Sequence, residues 1–146
     1  MKNGADCPFC NAESRQSRLQ TKVSQYIKQN YPNYTLLHEN ECTETLINPR
    51  MNRPMFFDNE VKEISLFIEV NGEQHYKINQ FTTFYAKRKK ISTKEAFDRQ
   101  KERDLLKKNY VESKGYHYLE LPYFSINNDN YKKLIDDSIN NIIQNL

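Results

Sequence analysis

The chain has 146 residues, enough for one domain with a hydrophobic core and too few for two large domains. Hydrophobic residues make up 37% of it, so the core must rely on its 10 Tyr and 8 Phe residues, whose side chains each bury a large area. With 22 Lys and Arg residues against 19 Asp and Glu residues, the formal net charge is +3, which indicates local basic patches and excludes a uniformly basic protein.

Residues 1–16 contain the sequence Cys7-Pro8-Phe9-Cys10, whose spacing is typical of a zinc knuckle. A closed zinc site needs four ligands, and His38 and Cys42 are the remaining candidates; the alternative is a set of free thiols. Three cysteines are an odd number, which argues against a secreted disulfide framework. No segment is apolar enough to span a membrane and no signal peptide opens the chain, so we expect a cytoplasmic protein.

The apolar pattern predicts helices alternating with strands in the order αβββαβα. The first helix is expected to end at Tyr31-Pro32, because the residue before a proline is biased away from helical backbone angles. Two stretches are predicted as loops, residues 48–54 and the roughly twenty residues before the long helix, a length that is often functional. The predicted elements are a helix over 17–30, a strand over 34–39, a strand containing Asp58, a strand over 64–70, a helix from Glu95, a strand over 116–121 and a helix over 130–145.

Two carboxylates are predicted to lie on neighbouring strands of an apolar hairpin. A strand that carries Asp58 turns near Lys62-Glu63 and returns as a β-rich run that contains Glu69. Cross-strand neighbours have Cβ atoms about 5 Å apart, so these carboxylates could share one Mg²⁺ or Mn²⁺ ion, which activates water and neutralises a phosphodiester. The alternative is a surface hairpin whose acids face water.

The long helix adds charged residues that could reach the same site. Asp104 and Lys107 are three residues apart and therefore share one helix face, and Gly115 is a natural stop after the helix. If this helix packs on the hairpin, either residue could point at the two carboxylates. The alternative is an ordinary solvated helix face.

A basic run, Lys87-Arg88-Lys89-Lys90, lies in the predicted loop before the long helix. In a nuclease such a loop would contact DNA phosphates and add salt-dependent affinity. The alternative is a solvated loop with no partner.

The motifs of the hairpin and the helix together resemble a known family. The residues concerned are Asp58, the segment Ile68–His75, the pair Asp104 and Lys107, and the segment Gly115–Tyr123. They resemble the PD-(D/E)XK nuclease superfamily, and within it the branch related to very-short-patch-repair endonucleases, which includes phage-borne homing endonucleases with an E-D-x-H-D motif. The resemblance implies an α/β restriction-endonuclease-like core, αβββαβ with a further helix and a mixed sheet flanked by helices, over residues 17–146. It also implies that residues 1–16 are part of a zinc ribbon.

The resemblance also implies roles for individual residues. Asp58 and Glu69 would bind Mg²⁺, and His75 would assist the chemistry at the phosphate. Asp104 would orient His75 or the metal-bound water, and Lys107 would stabilise charge at the phosphate.

Two positions depart from the family pattern. Asn71 stands where the superfamily usually has lysine, so Gln74, His75 or Lys107 would have to supply that function. Gln20 stands where the branch usually has a glutamate on its first helix, and an amide can hydrogen-bond a water but adds no negative charge.

From these observations we expect a metal-dependent endonuclease of the phage or mobile-element kind that acts on double-stranded DNA in a bacterial or phage-infected cell. One alternative is a decayed nuclease fold that binds DNA or protein, which the two departures favour. Another is a structure-specific repair or recombination nuclease. A compact site cuts one strand at a time, so double-strand cleavage would require a homodimer or two successive nicks.

Overall fold

The computed structural model describes residues 8–146, with side chains from residue 18 onward. Short 3-10 turns are formed by Glu39–Glu41, Lys62–Ile64 and Glu73–His75. The helices are α1 (Pro8–Asn30), α2 (Gln80–Lys89), α3 (Thr93–Ser113), α4 (Tyr123–Asn127) and α5 (Tyr131–Gln144). The strands are β1 (Leu36–His38), β2 (Leu46–Asn48), β3 (Arg53–Met55), β4 (Asn59–Val61), β5 (Leu66–Asn71) and β6 (His117–Pro122).

The main sheet has four strands in the order β1-β4-β5-β6, and β2 and β3 form a separate two-stranded ribbon. Strand β4 is antiparallel to both β1 and β5, whereas β6 is parallel to β5. A parallel connection needs a crossover, which helices α2 and α3 provide. Consequently the carboxyl ends of β1, β5 and β6 meet the amino end of β4 at one edge of the sheet.

Strand β5 is buried on both faces, and each face packs into a different hydrophobic core. Since side chains alternate along a strand, Leu66, Ile68 and Val70 enter one core, and this core also contains buried residues of α1 and α5. Phe67 points the other way and packs with Phe57 and Val111, the last of which lies on α3. Glu69 shares the Phe67 face by the same alternation, so the fold aims this carboxylate at α3.

Helices α1 and α5 are joined by a shared carboxylate. The hydroxyls of Tyr26 on α1 and of Tyr31, which directly follows α1, both donate to Asp136 on α5, at distances of 2.6 to 2.9 Å. Burial and the neighbouring carboxylate raise the pKa of Tyr26 to about 12 and that of Tyr31 above its usual range. Both phenols therefore remain protonated donors at neutral pH.

The predicted loop before α3 is wrong, because Gln80–Lys89 forms helix α2. The Asn79 side chain accepts from the Phe81 and Thr82 N–H groups and caps this helix. Only Thr82 and Ala86 are buried, so the helix has no apolar stripe that periodicity could reveal. The basic run Lys87–Lys90 accordingly lies at the carboxyl end of a helix and not in a loop.

Other predicted boundaries also need correction. The predicted loop over 48–54 contains the end of β2 and the start of β3, and only residues 49–52 form the tip of the ribbon. At this tip the Asn48 carboxamide accepts from the Arg50 N–H at 2.9 Å. The first strand is shorter than predicted, and helix α1 begins at Pro8, before the predicted residue 17. Asp58 lies immediately before β4 and not within a strand. In the part of the chain that the structure describes, no helix combines the length and the apolar character needed to cross a bilayer.

We predict that Asp136→Ala lowers the free energy of unfolding by about 1–3 kcal/mol, because two part-buried hydroxyls lose their acceptor. Urea unfolding followed by circular dichroism measures this change. Asp137→Ala is the matched control. The Asp137 carboxylate is the next acid along the chain, is exposed to solvent and pairs with exposed Lys133. Equal losses in both variants would contradict the assignment.

Candidate functional site

Asp58 and Glu69 lie side by side at the edge of the sheet. Each carboxylate accepts a hydrogen bond from a backbone N–H group of the opposite segment. The register pairs Asn59 with Ile68, which makes Asp58 and Glu69 the next opposed positions. The Asp58 N–H donates to Glu69 Oε2 at 2.8 Å, and the Val70 N–H donates to Asp58 Oδ2 at 2.8 Å. The two carboxylates thus bond to backbone groups where the ladder between β4 and β5 would otherwise end.

The environment of this pair disfavours two negative charges. Glu69 is 5% exposed and Asp58 is half-buried. Burial and then the charge of Glu69 raise the pKa of Asp58 well above its usual range, although Lys107 and the Val70 N–H act in the opposite direction. A metal cation bound to both carboxylates would offset the repulsion between their negative charges.

The donor set fits Mg²⁺, which is often held by one or two carboxylates together with water and substrate phosphate. Asp58 and Glu69 supply two hard oxygen donors on adjacent positions of a rigid sheet edge. Among the residues that the structure describes, no group of three or more His, Cys, Asp and Glu residues is arranged to hold a metal ion. The remaining ligands of such an ion would therefore be water, backbone or substrate.

Lys107 of α3 supplies a positive charge to the acid pair. Its Nζ donates to Glu69 Oε1 at 2.7 Å and to the Phe56 carbonyl at 2.8 Å. Burial disfavours the ammonium form, but the carboxylates of Glu69 and Asp58 outweigh burial and raise the pKa of Lys107. Asn71, in contrast, is 2% exposed and hydrogen-bonds the Tyr76 hydroxyl, so the cation of this site comes from α3 and not from β5.

His75 forms a pair with Asp104 next to the acids. Its Nδ1 lies 2.9 Å from both carboxylate oxygens of Asp104, and the Gln100 amide also donates to that carboxylate at 3.0 Å. His75 is 9% exposed and follows β5 in a 3-10 turn. A proton on Nδ1 satisfies Asp104, which leaves Nε2 as the nitrogen that can accept or release a proton.

Sequence reasoning did not assign Glu120 and Tyr118 to the site. Glu120 of β6 is in register with Glu69, so a third carboxylate lies on the neighbouring strand, and it accepts from the Tyr76 hydroxyl. Tyr118 precedes it on the same strand face, and burial, Glu69 and Glu120 together raise its pKa above the usual range. The alternation of His117-Tyr118-Leu119-Glu120 could have indicated this face, but not its partner strand.

The side chains of Gln74 and Gln20 lie in two different places. The Gln74 amide folds over Gly72, where an added Cβ would lie 2.8 Å from its Oε1. Gln20 lines a groove on the other side of the sheet edge with His38 and Glu39. The Glu39 N–H donates to the Asp58 carbonyl at 3.3 Å, so this groove adjoins the acid pair.

Two residues of the basic run and one arginine of α3 surround the ring of Tyr85. The charged groups of Arg88, Lys89 and Arg103 lie 5.5 to 5.9 Å from the centre of the Tyr85 ring. Arg103 directly precedes Asp104 in α3, and α2 packs against α3. A basic surface therefore extends from the carboxyl end of α2 to the His75–Asp104 pair.

The predicted zinc ligands are separated among the described residues. Cys7 lies outside the described part, and of Cys10 only the helical backbone in α1 is described. The Cys42 thiol is buried among Phe57, Phe67 and Val111, and burial raises its pKa to about 12. His38 Nδ1 lies 2.7 Å from the Asn59 amide nitrogen. His38 and Cys42 thus occupy different environments, and Cys42 is held as a thiol.

Comparisons of this chain with protein-family models, with curated proteins and with solved structures return no match.

We predict that Lys107→Met lowers the free energy of unfolding at pH 7 by about 3 kcal/mol, because it leaves buried carboxylates without a counter-charge. Lys108→Met is the control, since its side chain is exposed. Adding Glu69→Gln to Lys107→Met should restore part of the loss in a double-mutant cycle. Lys107→Met with unchanged urea unfolding would show that the ion pair does not support the fold.

Proposed function

We propose that the protein is a metal-dependent DNA endonuclease, built on a restriction-endonuclease-like core and of the phage or mobile-element kind. The observation that carries this proposal is the meeting of Asp58, Glu69 and Lys107 with the His75–Asp104 pair at one sheet edge. Two acids that could hold a metal, a fixed ammonium and a histidine with one oriented nitrogen are the groups that phosphodiester hydrolysis requires.

The chain topology supports the same proposal. Helix α1, the antiparallel strands β1, β4 and β5, the crossover helix α3 and the parallel strand β6 follow each other in the order expected for that core. The ribbon β2–β3 and helix α2 are then additions between core elements. The ribbon precedes Asp58 and helix α2 follows Glu69, so neither addition interrupts the segment that joins the two acids.

Each polar group of the site has a distinct task in this proposal. His75 Nε2 would take a proton from the attacking water or give one to the leaving oxygen, with Asp104 holding the ring through Nδ1. Lys107 would hold a non-bridging phosphate oxygen, whose negative charge grows as the bond to water forms. Asp58 and Glu69 would bind the metal, which when bound lowers the pKa of water and neutralises phosphate charge.

The basic surface around Tyr85 supports DNA as the substrate. Lys87, Lys89 and Lys90 are exposed near the carboxyl end of α2, and Arg103 connects them to the site. DNA phosphates attract such clusters through release of condensed counterions. A duplex lying on α2 and α3 would bring its backbone to His75 and Lys107.

A second candidate is a decayed nuclease fold that binds DNA without cutting it. The observation that favours it is the neutral character of Asn71 and Gln20, together with the contact of Lys107 with Glu69 in place of a free ammonium. Binding of duplex DNA with no cleavage in Mg²⁺ or Mn²⁺ over a range of pH would support this candidate.

We predict that purified protein nicks supercoiled plasmid in Mg²⁺ or Mn²⁺ and not in EDTA. Glu69→Gln, Asp58→Asn and His75→Ala should each reduce the rate by at least about 100-fold, the usual contribution of a positioned acid or base. Asp137→Asn, an exposed acid on α5, serves as the control that keeps full activity. Cleavage that survives EDTA or the Glu69→Gln substitution would refute the proposed site.

We also predict that Lys87→Ala combined with Lys89→Ala weakens duplex binding and flattens its salt dependence. Each phosphate contact contributes about 0.9 to the slope of log affinity against log salt concentration, so loss of two contacts should lower the slope by about 1.8. Fluorescence anisotropy at several salt concentrations measures this slope. Lys132→Ala with Lys133→Ala on α5 is the control pair, and an equal change there would mean that α2 has no special role.

A further inference from the structure

A cleft of about 180 Å³ opens directly beside the His75–Asp104 pair. Its size is well below the roughly 300–1,000 Å³ of sites that enclose a drug-sized ligand, so it can take a single ring system and not a duplex or a folded peptide. Apart from the His–Asp pair, the residues that line it are Tyr76, Lys101, Leu105, Lys108 and Glu120.

One wall of the cleft is a fixed aromatic ring. The Tyr76 hydroxyl donates to the Glu120 carboxylate, and the Phe124 ring meets the Tyr76 ring edge-on at 5.8 Å between centres. Lys101 Nζ lies 5.5 Å from the centre of the same ring. Tyr76 is thus held in place by a polar contact at its tip and by a ring at its side.

The cleft also contains an apolar side chain that is open to solvent. Leu105 lies on α3 between Asp104 and Leu106, yet it is 57% exposed. Phe124, behind Tyr76, is 51% exposed. An exposed leucine and a tyrosine ring that line one charged cleft favour a ligand with a flat apolar surface.

The charges of the cleft are those that a nucleotide would need. Lys101 and Lys108 line the cleft and supply two ammonium groups, which suit the phosphates of a nucleotide. Glu120 is exposed, and a carboxylate has two oxygens, so one can hold Tyr76 while the other accepts from an amino group of a base. Aromatic rings stack on bases with little regard to sequence.

We propose that this cleft binds one unstacked nucleotide of the DNA next to the phosphate that is cut, an inference that rests on the nuclease function proposed above. His75 lines the cleft together with Tyr76 and Leu105, so a base that contacts these two side chains lies beside the histidine. Removing a base from the stack is least costly where it is unpaired. The preferred substrate is therefore DNA that contains an unpaired or bulged nucleotide, and bases with an amino group are preferred over thymine.

The test is binding measured in EDTA, so that no DNA is cut. Two duplexes labelled with 2-aminopurine, one fully paired and one with the label in a single-nucleotide bulge, are titrated with the protein and followed by anisotropy and by 2-aminopurine fluorescence. The wild-type protein should bind the bulged duplex about tenfold more tightly than the paired one, a difference typical of one stacked base.

Leu105→Ala and Glu120→Gln should each reduce this preference, the ratio of the two affinities, at least about threefold. Both side chains are exposed, so neither substitution threatens folding. The matched controls are Ile143→Ala and Glu112→Gln. Ile143 is an aliphatic residue on α5 that is 42% exposed, and Glu112 is an exposed acid on α3.

Equal affinity for the two duplexes would overturn the proposal, as would a preference that Leu105→Ala and Glu120→Gln leave unchanged. Failure of the nuclease proposal would appear separately, as intact plasmid in Mg²⁺ and Mn²⁺. A bulge preference that depends on Leu105 and Glu120 supports base binding in the cleft in either case.

Discussion

The ammonium group of Lys107 holds the candidate site together. It reaches from α3 to Glu69 and to the carbonyl of Phe56, and so it ties the crossover helix to the segment that leads into β4. Buried carboxylates tolerate each other only when a positive charge lies close by. Asp104 is three residues earlier on the same helix face, and it fixes His75. The docking of one helix therefore sets the distance between the acids and the histidine.

Segments with a continuous apolar face were predicted correctly from the sequence, and segments without such a face were not. The Ile-rich stripe of α5 and the apolar run of β5 mark their elements clearly, because each must bury a continuous face. Helix α2 has no such face and is identified only by its Asn79 cap. The ribbon strands have three residues each, and β3 contains Pro54, which argues against a strand in most contexts. Tertiary contacts, not local propensity, decide these segments.

The site was predictable to the extent that it is local in sequence. Asp58 and Glu69 are opposed because one tight hairpin connects them, and the helical spacing of Asp104 and Lys107 fixes their common face. Glu120 was missed because its position depends on the parallel register between β5 and β6, which a long crossover separates in sequence. The choice of Lys107 over Gln74 as partner of Glu69 likewise depends on how α3 docks. No spacing rule within one segment contains that information.

The hydrogen bonds of Asp58 and Glu69 to backbone N–H groups give these two acids a part in the sheet itself. Each carboxylate accepts from a backbone N–H group at the end of the ladder between β4 and β5, so a substitution of either acid also removes a hydrogen bond from the sheet. His75 carries no comparable share of the architecture, because its ring bonds to the Asp104 side chain and ends in a cleft. A substitution of His75 should consequently disturb the sheet less than a substitution of either acid. A defect caused by changing Asp58 or Glu69 combines loss of the site with loss of sheet structure, whereas a defect caused by changing His75 reports on the site alone.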